Sequence, residues 1–202
     1  MVLPVLCGVL FTLLTWQIST GGWLRALDER IGHRLFHPGS AHPLAEAAAD
    51  LGNTQIALIV LVAAVGCAVW HGLRMRVRRW WLPPLTAAAA MASVPALVVP
   101  LKDVIGRPGP LGPAENYGWY PSGHAATATV AYGAAALLLA PALRRALARL
   151  LLAGAALLLN LLVGAGLILC GYHWPIDVLG SWLLFGGLLC ALCVPLTHRR
   201  RA

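Results

Sequence analysis

A helix needs about twenty apolar residues to cross the hydrocarbon core of a bilayer, and this 202-residue chain holds six such runs. They extend from about Val2 to Ser19, Thr54 to Trp70, Leu82 to Leu101, Ser122 to Ala140, Leu150 to Leu169 and Pro175 to Leu196. The composition agrees: 59% of residues are hydrophobic, only 11% are charged, and mean hydropathy is +0.76. The expected fold is all-α: a polytopic membrane protein, a bundle of six transmembrane helices, read as a single domain over residues 1–202. No internal repeat or low-complexity linker interrupts it.

The connections carry structure of their own. Trp23 to Phe36 places Leu24, Leu27, Ile31 and Leu35 at helical spacing, with Asp28, Glu29, Arg30 and Arg34 on other faces. That pattern predicts a short amphipathic helix lying at the membrane interface. His37-Pro38-Gly39-Ser40 reads as a turn, and Pro43 to Leu51 as a second short helix punctuated by Gly52 and Asn53. The third run contains Pro83, Pro84, Pro95 and Pro100, so it is expected to bend near its end. Lys102 to Tyr120 is a Gly/Pro-rich polar loop. The first run lacks a basic leader and a small-residue cleavage site, so it reads as a retained helix. Cys7, Cys67, Cys170, Cys190 and Cys193 lie in or beside apolar runs at no metal-ligand spacing, and read as packing residues with free thiols.

Charge sets the orientation. The formal net charge of +8 comes from arginines gathered between apolar runs, so membrane topology accounts for it and nucleic acid is not expected. Arg74, Arg76, Arg78 and Arg79 form one cluster, Arg144, Arg145 and Arg149 a second, and Arg199, Arg200 and Arg201 a third. Six spans put all three clusters and both termini on one side, which the positive-inside rule makes the cytoplasm. All seven acidic residues then fall on the outer side, together with Arg25, Arg30, Arg34, Lys102 and Arg107. Multi-pass insertion in a bacterial inner or plasma membrane is the expected location; the bacterial origin rests on the Ala/Leu/Arg-rich composition.

Two short stretches stand where spans begin on that outer side: Tyr120-Pro121-Ser122-Gly123-His124 and Gly171-Tyr172-His173-Trp174-Pro175-Ile176-Asp177. Helix N-termini favour an anion such as phosphate through free N–H groups and the helix dipole. Both ends are therefore expected to contribute to one phosphate cradle. His173 and Asp177 are one turn apart on a helix face. The carboxylate can accept the Nδ1–H and leave Nε2 as a nucleophile toward phosphorus. His124 is then the donor for the leaving oxygen. Ser122 and the N–H groups of Gly123 and His124 can bond phosphate oxygens, and Lys102 and Arg107 can supply charge. Each of these taken singly also has a plain structural reading: a polar anchor, a helix cap, a surface ion pair. Their conjunction at one membrane edge favours function.

At these residues the chain resembles the type 2 phosphatidic acid phosphatase (PAP2) family of membrane lipid-phosphate phosphatases. The family's Pro-Ser-Gly-His motif is present as Pro121-Ser122-Gly123-His124. Its His and Asp, three residues between them, are His173 and Asp177. Its Lys-initiated motif appears as Lys102-Asp103-Val104-Ile105-Gly106-Arg107-Pro108-Gly109-Pro110. The resemblance implies a metal-independent phosphoric monoester or diphosphate hydrolase, without a cofactor. His173 would be the nucleophile, Asp177 its partner, His124 the general acid, and Lys102 and Ser122 phosphate ligands. Two family arginines do not carry over: Gly109 and Leu167 stand in their places, and Gly166 replaces a family serine. Arg107 is positioned in sequence to substitute for one of them.

An outer-face site implies outer-leaflet substrates: phosphatidic acid, phosphatidylglycerol phosphate, or prenyl phosphates and diphosphates. Partners are thus the lipid substrate and membrane lipids, with the oligomeric state open. Two other classes remain. One is a catalytically silent member serving as a binding or scaffold subunit in lipid or envelope biogenesis, for which the missing arginines argue. The other is a small transporter, disfavoured because no charged residue lies mid-span. His33, His37 and His42 read as a solvated surface, not a metal site.

Overall fold

The computed structural model describes residues 2–36, 43–111 and 118–198, the side chains of 193–198 excepted. Among the described residues there are eight α-helices: α1 (Val2–Ser19), α2 (Trp23–Leu35), α3 (Pro43–Asp50), α4 (Thr54–Arg74), α5 (Leu82–Ile105), α6 (Gly123–Leu139), α7 (Ala146–Leu169) and α8 (Pro175–His198). α1 and α4–α8 are long and apolar enough to cross a membrane. The His37–Ser40 turn lies outside the described residues, as do His42, Glu115 and the terminal arginines.

α6 is the hub. Ten of its seventeen residues are buried, and seven of those ten are alanine or threonine. Small side chains let neighbouring backbones approach closely where lipid offers no hydrophobic drive. α4, α5, α7 and α8 accordingly all pack against α6. α1 lies against α8 on the outside of this core, and α3 lies on α7. Val94, Val130, Ala134, Phe185 and Leu189 belong to one apolar cluster. A second, nearer the polar end, joins Ala49, Ala125, Val163, Leu167 and Val178.

Three expectations change in detail. α5 is a continuous helix through Pro95 and Pro100 and reaches Ile105, so Lys102 sits in its last turn and not in a loop. α7 begins at Ala146, a turn earlier than its apolar run. α2 turns its polar residue inward: Asp28 and Gly32, one turn apart, are buried, whereas Leu27, Ile31 and Leu35 are exposed on the outside of the fold. The helix is amphipathic, but its buried contact to the bundle is made by a carboxylate.

The chain between α7 and α8 is set by local rules. Gly171 has a left-handed φ of +69°. Tyr172 N–H donates to Leu167 O at 2.9 Å and Gly171 N–H to Ile168 O at 3.0 Å, the paired bonds of a Schellman helix stop. His173 N–H also returns to Leu167 O, which turns its side chain back into the bundle. Pro175 then opens α8, where a proline's missing N–H does no harm. Asp177 accepts the Trp174 N–H at 3.1 Å, as the third residue of a capping box does.

Gly171→Ala should therefore be harmful twice over. A non-glycine residue held at positive φ costs about 1–3 kcal/mol, and its Cβ would stand 2.4 Å from the Phe36 ring. Thermal unfolding of the purified protein in detergent should show a clearly lowered midpoint; an unchanged midpoint would mean this turn does not hold the helix ends.

Candidate functional site

All the polar residues singled out from sequence gather at one end of the bundle, where α5 stops and where α4, α6 and α8 start. His173 is buried, and its Nδ1–H donates to Asp177 Oδ2 at 3.3 Å. The carboxylate is an acceptor only, so the neutral ring carries its proton on Nδ1 and leaves Nε2 as the basic nitrogen. Burial pushes the His173 pKa below its ordinary value, against the upward pull of Asp177. The ring is thus neutral, and nucleophilic, to lower pH than a free histidine. Trp119 packs edge-on against it at 5.4 Å.

His124 is exposed at the start of α6. Its Nε2 lies 2.9 Å from Asn53 Oδ1. Asn53 Nδ2–H donates to Asp50 Oδ1 at 2.9 Å, which fixes the amide orientation, because a carboxylate can only accept. Nε2 of His124 therefore carries a hydrogen toward Asn53, and Nδ1 is the nitrogen left for a substrate. His124 is near enough to His173 and Lys102 to sense their charge, and Lys102 is near enough to sense Asp177.

The two helix ends are not equivalent. At α8 the Ile176 N–H donates to Asp28 Oδ1 at 3.0 Å, and Asp177 N–H bonds back to Trp174 O. Pro175 has no N–H. That end is already satisfied, contrary to the expectation that both ends offer donors to an anion. At α6, Ser122 is buried and its Oγ accepts the Ala125 N–H at 3.3 Å. The hydroxyl is thus a cap first. The N–H groups of Gly123 and His124 are the first two of α6, which have no partner within a helix. Ser181 Oγ–H donates to Ser122 O at 2.7 Å and lies 3.1 Å from Asp177 O, tying α6 to α8.

Arg107 stands behind the histidine's carboxylate. It is fully buried, and both terminal nitrogens are committed: Nη1 to Asp177 Oδ1 at 2.6 Å and Nη2 to Asp28 Oδ2 at 2.7 Å. Only Nε–H is left without a protein partner among the described residues.

The two absent arginines have structural counterparts. Gly109 lies under the Trp119 indole, which a Cβ there would meet at 2.6 Å. Leu167 is buried in the apolar cluster with Ala49, Ala125 and Val163. At Gly166 a Cβ would come within 2.5 Å of the α3 backbone at Ala45 and Ala49, so the glycine lets α3 lie flat on α7. Sequence reasoning missed Asp28, Asn53 and Trp119. The one signal for Asp28 was Gly32 a turn later, a smooth spot on which the Trp174 ring now rests. His33 is exposed and packs edge-on against Trp174 at 5.0 Å. Cys7, Cys67, Cys170 and Cys190 are free thiols.

Residues 83–202 match the PAP2 superfamily. No curated protein sequence matches the chain significantly. Among solved structures, the fold is similar to that of a transmembrane PAP2-type phosphatidylglycerolphosphate phosphatase from Bacillus subtilis. The TM-score is 0.79 and the identity 24%, over 95% of this chain and 94% of that one.

Putting arginine back at Gly109 should fail by itself, because the Trp119 ring fills the space. Overpacking of this kind costs about 1–3 kcal/mol. Thermal midpoints for Gly109→Arg, Trp119→Ala and the double variant should show strong coupling, the double variant being more stable than the sum of the single losses predicts. Additive losses would place Trp119 elsewhere. Leu167→Arg should lower the midpoint outright, since it sets a charge among apolar side chains.

Proposed function

The chain belongs to the PAP2 superfamily, and on that premise we propose that it is a membrane phosphatase that hydrolyses a lipid phosphate, or a prenyl phosphate or diphosphate, at the outer membrane face. The observation that carries this is the His173–Asp177 pair: with Nδ1–H directed to the carboxylate, Nε2 is free to attack phosphorus.

The reaction runs in two displacements. His173 Nε2 bonds to phosphorus as the phosphorus–oxygen bond to the lipid breaks, and the leaving oxygen takes a proton from His124. Asp177 offsets the positive charge on the phosphorylated imidazole. His124, now neutral, takes a proton from water; the water oxygen attacks phosphorus, the phosphorus–nitrogen bond breaks, and phosphate leaves. Lys102 and the N–H groups of Gly123 and His124 hold the phosphoryl oxygens, with the Ser122 hydroxyl at the helix start and Arg107 limited to its Nε–H. Charge placed ahead of time where it develops is worth most in a site shielded from water. The ring of exposed apolar residues on α1, α4, α5 and α7 suits a bilayer, so the substrate's tail stays in lipid while its head reaches the polar end of the bundle. The arginine clusters after α4 and after α6 lie at the opposite end, which by the positive-inside rule supports an outer site.

One observation favours the silent alternative. Neither family arginine position can be filled by a local side-chain change, and Arg107 is held by carboxylates.

Phosphate release from phosphatidic acid, phosphatidylglycerol phosphate and a prenyl diphosphate, with and without EDTA, separates these readings. The expected result is release that persists in EDTA and disappears in His173→Ala. No release from a folded protein would favour the binding subunit. The acid limb of kcat/KM should fall below the ordinary histidine value of about 6.5, because burial lowers the pKa of His173 and the neutral ring is the reactive form. An acid limb above that value would assign it to another group.

A further inference from the structure

We propose that Asp28, on the interfacial helix α2, is the positioning residue of the His173–Asp177 pair and acts on it through Arg107 and through the start of α8. The inference rests on the phosphatase reading for its kinetic consequence, and on geometry for the rest.

Asp28 uses both carboxylate oxygens on two different elements. Oδ2 takes Arg107 Nη2–H at 2.7 Å, and Oδ1 takes the Ile176 N–H at 3.0 Å. Arg107 passes the constraint on: its Nη1–H reaches Asp177 Oδ1 at 2.6 Å. Asp177 then has one oxygen held by Arg107 and the other, Oδ2, directed to His173 Nδ1 and the Trp174 N–H. A carboxylate fixed at both oxygens cannot rotate, and so the imidazole it orients keeps Nε2 in one place. Without Asp28, Arg107 would keep Asp177, the more distant Glu29 and the Trp174 ring it lies over, but lose its close partner on α2, and the α8 end would lose the acceptor for Ile176. Asp28 lies outside every motif of the site, and nothing about its position in the sequence links it to His173.

Electrostatics gives the direction of the effect. The groups facing His173 are Asp177 from α8, Lys102 from α5, Arg107 from the following loop and His124 from α6. Asp28 is the carboxylate that offsets Arg107 on its far side; Glu29, at 3.7 Å and partly exposed, adds less. Removing its charge leaves Arg107 less compensated and the site more positive. The imidazolium is then harder to form, so His173 should titrate at lower pH, and its cationic phosphorylated form should be less stable.

The test is Asp28→Asn in the full-length protein in detergent, beside Asp28→Glu and Arg30→Gln as a control on the exposed face of α2. The His173 titration is followed by NMR of histidine labelled in the ring and assigned with His173→Gln, and kcat and KM are measured on the best substrate. Expected for Asp28→Asn are a His173 titration shifted to lower pH, a fall in kcat of about tenfold or more, as losing an outer partner of a functional histidine produces, and KM within about twofold. Asp28→Glu should recover part of kcat, and Arg30→Gln should match the wild type. A merely structural role would lower the thermal midpoint without moving the titration of the folded fraction. A folded Asp28→Asn with unchanged titration and kcat overturns the proposal. Should Asp28→Asn not fold, Asp28→Glu takes its place, and wild-type values for both quantities overturn it equally. If the wild type releases no phosphate, the titration still decides: a shift keeps Asp28 as the positioning residue and sinks the phosphatase reading alone.

Discussion

A guanidinium that cannot lose its proton and has no contact with water must be paired. Arg107 meets this requirement with two carboxylates, Asp177 on α8 and Asp28 on α2. Taking three charges out of water costs several kcal/mol per ion, and the arrangement survives because nearly every lone pair and N–H is used. Asp28 bonds Arg107 and Ile176; Asp177 bonds Arg107, Trp174 and His173. Deleting Arg107 would leave two buried carboxylates uncompensated, typically a loss of about 3–5 kcal/mol. The same bonds that lock the loop after α5 to α2 and α8 also aim the imidazole. Stability and chemistry at this end of the bundle therefore share one network.

The burial of that network is also what tunes its members. The Asp28 carboxyl is pushed above its ordinary value by burial, while Arg107 pulls it down. Close to Asp177 and Arg107, Tyr120 is pushed up to about 12, chiefly by burial, and its hydroxyl pairs with Thr15 on α1 at 3.0 Å. Tyr120, Ile18 and Ile176 form an apolar wall under the charges. This wall joins α1, otherwise peripheral, to the start of α8. The Arg107 pairs themselves are buried, so the attractions there are screened less than at a surface.

Long, local patterns were legible in the sequence; short, distant ones were not. Six spans could be read because each is a continuous apolar run, and the resulting topology placed Lys102, His124, His173 and Asp177 at one end. Asp28 was misassigned to water because amphipathic periodicity separates polar from apolar, and says nothing about which face meets the protein. Its partners, Arg107 and Ile176, are 79 and 148 residues away in sequence. The carboxylates that hold Arg107 were out of view for the same reason: its place near a phosphate-binding motif is a sequence fact, whereas its two partners are a tertiary one.

The substitutions at Gly109 and Leu167 read in sequence as two missing charges, but in the fold they are two filled spaces. Trp119 covers Gly109, and Leu167 with Gly166 lets α3 seal against α7. A site that loses two cations loses attraction for the phosphate in its ground state. It loses catalytic rate only to the extent that those cations bind the transition state more tightly. In the proposed mechanism the phosphoryl group is held by Lys102, the first N–H groups of α6 and the Nε–H of Arg107. His173, the proposed nucleophile, is by contrast backed by Asp177, which Arg107 and Asp28 hold in turn. On the proposed mechanism the chemistry is shifted from clamping the anion toward orienting the group that attacks it, and a substrate that is held by its lipid tail is the kind that can tolerate the change.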